Sequence, residues 1–275
     1  MRGQLYLSPS EIEIEQIPLE EVIRKKEWFE LIDTHELCGL EEMGCKIHLE
    51  KEATLIENSG TDLAFLNRVT NLNMSEEMLS DFLDVIPPKF SFVINPFTLP
   101  SNAIQILEKY GYRNSISSTV VGSEVPLDLE SPAHDYELVD VKIDNADFDD
   151  MFSVFSTFFL KPNEAQIVGR NRLAGNLNRG THILVRQKGM PIGMVGTIDN
   201  NGISGIYCGI VLPEFRASNI LSVLAFELSQ RVLAKGINRY YGKSRNRAFL
   251  FGLKRMFKFE HLYNEKTFIL DSTNT

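Results

Sequence analysis

The sequence is poor in everything that would tie it to a metal, a disulfide framework or a membrane. Its 275 residues hold three cysteines, Cys38, Cys45 and Cys208, an odd number without a CxxC spacing. Free thiols in a reducing compartment are the simplest reading. The histidines, His35, His48, His134, His182 and His261, are scattered, with no HExxH and no close His/Cys set. No metal site is expected from such a distribution. There is no run of about 18 or more apolar residues, so no membrane-spanning helix is expected. The segment from Met1 to Glu15 carries carboxylates where a secretory leader would be basic and then apolar, so a cytoplasmic location is expected. GxSxG and GxxxxGK[ST] are both missing, which leaves hydrolase and P-loop readings without support. Positive charge is in the minority, 28 basic against 37 acidic residues for a net charge of -9. That balance repels a nucleic-acid backbone and suits amines or basic peptides instead.

What is present is an α/β pattern told twice. The length accommodates two domains of about 130 residues each. In the first half, Pro18 opens a helix. Strand-like runs follow at 46–50, 53–57 and 64–69. Ser75 caps a second helix that stops before Pro87-Pro88. A strand at 90–94, a helix at 102–110 closed by Gly111, and a strand at 116–121 complete the half. The pattern lapses from Gly122 to Asp135. The second half reads as a strand at 136–143, helices at 144–159 and 163–177, and a hairpin at 181–186 and 191–199 turning at Lys188-Gly189. A strand at 203–212 then stops at Pro213. A long amphipathic helix at 218–234 ends at Gly236, and a strand, a helix and a strand follow at 237–242, 247–256 and 261–270. Each half closes on helix, aromatic break and strand, at Tyr110-Gly111-Tyr112 and at Phe257-Lys258-Phe259, which hints at duplication. The expected organisation is a first domain over 1–125, a linker over 126–135 and a second domain over 136–275. The expected class is α/β (α+β), with a mixed, mostly antiparallel sheet flanked by helices in each domain.

The chemistry concentrates between strand 203–212 and the helix after it. Ile210-Val211-Leu212-Pro213-Glu214-Phe215-Arg216 leads into Ala217-Ser218-Asn219-Ile220-Leu221. A helix start leaves about four backbone N–H groups without intrahelical partners, and their dipoles favour an anion. Ala217 and Ser218 are small enough for close approach, and Arg216 adds a permanent positive charge. Asn219 suits a left-handed turn, and Ser218 suits an N-cap.

Val211, Pro213 and Arg216 match a strand ending in V-x-P-x-x-R before a pyrophosphate loop, [QR]-x-x-G-x-[GA]. In this the segment resembles the cofactor signature of the GCN5-related N-acetyltransferases (GNAT superfamily). The element order of the second half fits the same family. The first half, with Phe65-Leu66-Asn67-Arg68-Val69, is similar to the two-part members whose N-terminal half is degenerate. The resemblance implies acetyl-CoA, or another short acyl-CoA, as co-substrate and a small-molecule or peptide amine as acceptor. It implies no metal, no nucleic acid and no membrane, in a monomer or homodimer. Backbone groups of Ile210, Val211 and Leu212 would meet the pantetheine arm, and Arg216 to Leu221 the pyrophosphate. Asn246 stands where the family often touches the cofactor arm, and is equally placed for an N-cap. Tyr241 and Tyr263 are candidates for the catalytic acid. The sequence departs from the family at Asn219 and Leu221, and Leu253 stands where the family often has the acid tyrosine. A non-catalytic acyl-CoA-binding regulator and an aminoacyl transfer enzyme are the alternative implications.

Overall fold

The computed structural model describes residues 12–14, 18–42, 44–60, 66–124, 130–143, 146–159, 170, 173–216 and 218–271. By internal contacts the chain forms two compact units. The first takes Met1–Val120, Ser244–Arg247 and His261–Thr275, and the second takes Val121–Lys243 and Ala248–Glu260. The C-terminal strand therefore belongs with the N-terminal residues. The reason lies in its pairing, described below.

In the first unit, α1 (Leu19–Glu42) precedes β1 (Lys46–Leu49), β2 (Thr54–Glu57) and β3 (Arg68–Thr70). Next come α2 (Glu76–Val85), β4 (Ser91–Ile94), α3 (Ala103–Lys109) and β5 (Tyr112–Glu124), whose last residues cross into the second unit. The expected strand at 64–69 is realised as β3; residues 61–65 lie outside the described residues. Local chemistry sets the helix ends. Ser75 Oγ accepts the Met78 N–H at 3.2 Å, Glu76 and Glu77 occupy the first turn of α2, and Ile86 turns extended (φ -71, ψ 137) ahead of Pro87. Gly111 (φ 87) ends α3. β1, β2 and β3 pair antiparallel, and β3 and β4 pair parallel. The far edge of β4 is taken by the C-terminal strand β11 (Glu260–Leu270), antiparallel, with Lys266 opposite Ile94 and Phe268 opposite Phe92. Val69, Leu79, Phe92, Leu107 and Phe268 form the core, with Tyr112 edge-on to Phe92 at 5.0 Å.

The second unit opens with β6 (Glu137–Asp140) and α4 (Ala146–Phe159). A short helix α5 (173–177) follows, then β7 (His182–Gln187), β8 (Met190–Asn200) and β9 (Ile203–Val211). A single 3-10 turn, Pro213–Phe215, leads to α6 (Ile220–Ala234), and β10 (Arg239–Ser244) and α7 (Arg247–Phe257) complete the unit. Its strand order is β6-β7-β8-β9-β10. All the pairs from β6 to β9 are antiparallel, and β9 and β10 are parallel. Both units are thus mixed, mostly antiparallel sheets flanked by helices. The same sequence of antiparallel pair, helix, parallel strand and helix occurs in each: β2-β3-α2-β4-α3 and β8-β9-α6-β10-α7. β5 continues through Gly122–Glu124, the start of the stretch where the sequence pattern lapses, and residues 125–129 lie outside the described residues.

Met151, Val154, Leu173, Leu184, Met194 and Cys208 form the core beneath α4. Phe148 and Phe155 are buried in it and Phe152 packs on its margin, while the side chains of Phe158 and Phe159 lie outside the described residues. Arg186 on β7 fixes α4 to the sheet through Asp147 (2.7 Å) and Asp150. The three cysteines are free thiols. No helix among the described residues is long and apolar enough to cross a membrane.

Candidate functional site

The parallel ladder between β9 and β10 begins at Arg239↔Ile203 and ends at Gly242↔Ile206. β9 runs on to Val211, paired only to β8 by strand register over this stretch, as far as Gly193↔Val211. Pro213 lacks a backbone N–H and stops the strand, and α6 starts at Ile220. A strand edge left by its neighbour thus leads directly into a helix N-terminus.

The expected cofactor residues sit on this junction as follows. Ile210 is buried, opposite Met194. Val211 is buried, and its carbonyl accepts a hydrogen bond from Arg216 Nε at 3.2 Å. Leu212 gives its N–H to the Ile192 carbonyl at 2.9 Å. Arg216 is exposed at the end of the 3-10 turn. Ala217 lies outside the described residues. Ser218 stands one residue before the cap position, and its Oγ accepts the N–H of Ile220, the first residue of α6, at 3.5 Å. Its hydroxyl donates to the Phe215 carbonyl at 2.6 Å, and the cap is Asn219. Asn219 does not adopt a left-handed conformation, since its φ is -85. Its carbonyl accepts from the amides of Ser222 and Val223, and its side-chain amide donates to the Ala133 carbonyl at 2.9 Å. These bonds hold Asn219 in the turn without a positive φ at that residue. Ile220 is buried, whereas Leu221 keeps 40% of its surface exposed. Asn246 directly precedes α7, with its N–H on Ser244 Oγ at 3.0 Å, and groups with the first unit.

The two tyrosine candidates part company. Tyr241 on β10 is buried, and its ring lies over Gly205, where an added Cβ would stand 2.8 Å from ring carbons and 2.9 Å from the hydroxyl. Its neighbour Tyr240 points the other way and gives its hydroxyl to the Ser229 carbonyl of α6 at 3.4 Å. Burial pushes the Tyr240 phenol up to about 12. Tyr263 is in the first unit, edge-on to Phe29 at 5.7 Å and to Phe97 at 6.3 Å. That is an aromatic core position.

The sequence reading passed over a pair that the fold assembles. His182 Nε2 and the Tyr207 hydroxyl stand 2.6 Å apart, on β7 and β9. Between them lies Gly196 of β8, where a Cβ would come within 2.8 Å of the His182 ring and 2.9 Å of Tyr207 Cζ. The β8–β9 register shifts at this point, Gly196 opposing Cys208 and Thr197 opposing Ile206, so Tyr207 is the additional residue of a β-bulge. Bulges re-aim side chains in this way. Burial holds the His182 imidazole down at about 4, against the smaller upward pull of Asp199, with Lys235 adding to the depression. His182 is therefore neutral near neutral pH. The Gly180 carbonyl adds a small upward pull, and no hydrogen bond of normal geometry reaches Nδ1 from any described residue. With Nδ1 protonated, Nε2 accepts from Tyr207. The sequence signal for the pair is slight: Gly196 is one of two glycines in β8, with Gly193.

Beside the pair, on the other face of the sheet, Asp199 accepts from Thr197 (2.8 Å), Ser204 (2.7 Å), Thr181 (3.2 Å) and Lys235 (2.7 Å). These bonds tie the ends of β7, β8 and β9 to the C-terminus of α6. Among the described residues no group of His, Cys, Asp and Glu is placed to hold a metal ion.

The fold so described is that of the GCN5-related N-acetyltransferases. The chain is similar to a GCN5-related N-acetyltransferase from Kribbella flavida, with 13% identity and a TM-score of 0.65 over 86% of this chain and 93% of that one. It is similar to one from Sphaerobacter thermophilus, with 15% identity and a TM-score of 0.54 over 80% and 81% of the two chains. A tandem GNAT protein from the clavulanic acid biosynthesis pathway shares 12% identity and a TM-score of 0.55 over 78% and 77%. At such identities the likeness is one of fold. No protein-family model and no curated protein matches the sequence.

Proposed function

We propose that the second unit is an acyl-CoA-dependent N-acyltransferase, moving an acetyl or short acyl group to an amine, with coenzyme A held where β9 meets α6. The observation that carries this reading is the end of the β9–β10 ladder at Gly242↔Ile206, with β9 continuing to Pro213 and the start of α6. An extended, amide-bearing arm can add to a strand edge through backbone hydrogen bonds, here along Ile210 and Val211. The turn from Arg216 to Leu221 then offers a diphosphate the helix amides and the positive end of the dipole. Arg216, on leaving the Val211 carbonyl, reaches phosphate oxygens with a charge-assisted bond.

Acyl-CoA supplies the activated thioester, and the residues of the chain orient the amine. In the tautomer with Nδ1 protonated, the Tyr207 O–H donates its hydrogen bond to His182 Nε2 and the hydroxyl oxygen keeps its lone pairs for the amine. It accepts a hydrogen bond from the amine N–H and so turns the nitrogen lone pair toward the acyl carbon. The amine, entering as the free base, forms the C–N bond as the C–S bond breaks, and the departing thiolate takes up the proton that the nitrogen gives up, so that the products are the amide and the coenzyme A thiol. A thiol of pKa about 8.5 is a tolerable leaving group without a donor beside it, so Leu253 in place of a tyrosine is compatible with turnover. Tyr241 is the phenol this reading leaves as proton donor. Tyr207→Phe removes one hydrogen bond from the amine, and kcat is expected to fall by about two- to tenfold at unchanged KM for acyl-CoA.

Binding is tested first. Acetyl-CoA and coenzyme A should raise the melting temperature with concentration, and free adenosine phosphates much less. Arg216→Ala should weaken coenzyme A binding by about tenfold or more with the circular dichroism spectrum unchanged. If neither acetyl-CoA nor coenzyme A moves the melting point at millimolar concentration, the proposal fails. A second reading, a non-catalytic acyl-CoA-binding regulator, is favoured by one observation: Leu253, at the position expected for an acid, is buried at 3% exposure. Tight binding without thioester consumption across a panel of amines would establish it.

A further inference from the structure

In the second unit, α7 turns an apolar side chain and a group of cations to solvent together. Leu250, Leu253 and Phe257 are its buried positions. Phe251 faces away from them and keeps 63% of its surface exposed. Lys254 and Arg255, three and four residues further on, share its face and are exposed, and exposed Lys258 follows the end of the helix. No carboxylate occurs from 247 to 258, in a chain whose net charge is -9. A basic face with a phenylalanine at its centre is thus particular to this helix.

In the first unit, α2 has the opposite character. Leu79 and Leu83 are buried. Glu77, Asp81 and Asp84 form an exposed stripe at helical spacing, and no Lys or Arg occurs from 76 to 85. Met78 and Val85, on either side of Asp81 in sequence and on the same flank of the helix, are exposed at 45% and 77%. The helix dipole accounts for Glu76 and Glu77 in the first turn of α2, and for Lys254 and Arg255 in the last turn of α7. It does not account for Asp84, at the end of α2 where an anion is disfavoured, nor for Phe251 and Val85 standing in water.

We propose that the outward face of α7 docks on α2 of a second copy of this chain. Phe251 meets Met78 and Val85, while Lys254, Arg255 and Lys258 pair with Glu77, Asp81 and Asp84. The lengths agree, since α7 has 11 residues and α2 has 10, about 16 and 15 Å at the α-helical rise. Repulsion between two acidic copies is screened beyond about 8 Å at physiological salt, so the charges in contact decide. The contact is heterologous, and each chain carries both faces. A single helix pair lies at the small end of protein interfaces, so association is expected in the micromolar range.

The test is sedimentation of the full chain from micromolar to submillimolar concentration. The average mass should rise with concentration in low salt and return toward that of one chain in high salt. Lys254→Glu with Arg255→Glu, and separately Glu77→Lys with Asp81→Lys, should each weaken association by about tenfold or more, with the circular dichroism spectrum unchanged. Mixed together, the two variants should associate again, because their reversed faces complement each other. Should either variant fail to fold, Phe251→Ser weakens association by about tenfold on its own. A wild type that stays a single chain at every concentration would overturn the inference. So would association that charge reversal leaves unchanged or that mixing does not restore. Binding of coenzyme A and dephospho-coenzyme A to the α7 variant reports the other occupant. Weakening of the first alone, in a chain whose wild type does not associate, would assign the face to the 3′-phosphate and overturn docking. The acyltransferase reading stands or falls separately.

Discussion

His182→Gln is expected to remove about 3 kcal/mol of acid sensitivity from the fold. In the native protein the imidazole is held down at about 4, whereas in the unfolded chain it titrates near 6.5. Between these values the unfolded state binds more protons, so stability falls as pH drops from about 6.5 and levels off below about 4. The size follows from about 1.4 kcal/mol for each pKa unit. A domain with 5–15 kcal/mol in hand would lose a substantial fraction of it. Carboxylates add their own acid sensitivity, but they are common to the wild type and the variant, so the difference isolates His182. Urea midpoints at pH 7 and at about pH 4.5 give the answer. Equal losses in the two proteins would show that the native imidazole is not held neutral, and the hydrogen bond from Tyr207 would lose its stated direction.

That pair marks the boundary of what the amino-acid sequence discloses. The junction of β9 and α6 is legible because its punctuation is local: Pro213 ends the strand, and Gly236 (φ 76) ends the helix. The caps and breaks of α2 and α3 are legible for the same reason. His182 and Tyr207 are separated by the whole β8 hairpin, and they meet only because a bulge advances the β8–β9 register by one residue at Gly196. No periodicity records a register shift. The allegiance of β11 is hidden in the same way. Its alternation shows a strand, but only pairing with β4, through Lys266↔Ile94, places it in the first unit. The turn 216–221 illustrates a third limit. The family pattern asks for a left-handed residue at Asn219, yet Asn219 has a φ of -85 and its carbonyl accepts the amides of Ser222 and Val223. The residue types were informative about an anion site, and the backbone conformation was not inferable from them.

Gly180→Ala is expected to destabilise the protein by about 3 kcal/mol, near the upper end of overpacking costs. An added Cβ would stand 1.7 Å from the Thr197 carbonyl oxygen and 2.5 Å from its carbon. That carbonyl cannot retreat cheaply, because the strands around it are tied on both sides. Thr197 N–H donates to the Thr181 carbonyl at 3.0 Å, Thr181 N–H donates to Thr197 Oγ1 at 3.1 Å, and Asp199 N–H donates to the Arg179 carbonyl at 2.8 Å. Relief of the clash must stretch one of these bonds or shift His182, two residues on, away from Tyr207. The same substitution at Gly175 should have the opposite sign. Gly175 is exposed on α5 with nothing within 4 Å of an added Cβ, so alanine there gains about 0.4–1 kcal/mol through helix propensity and a less flexible unfolded chain. Melting temperatures should therefore move down by roughly 6–12 °C for Gly180→Ala and up by about 1–3 °C for Gly175→Ala. Two glycines in neighbouring segments thus separate steric exclusion from backbone entropy. A Gly180→Ala protein melting with the wild type would mean that β7 and β8 do not approach each other at Thr197 as described, and the register that brings His182 to Tyr207 would fall with it.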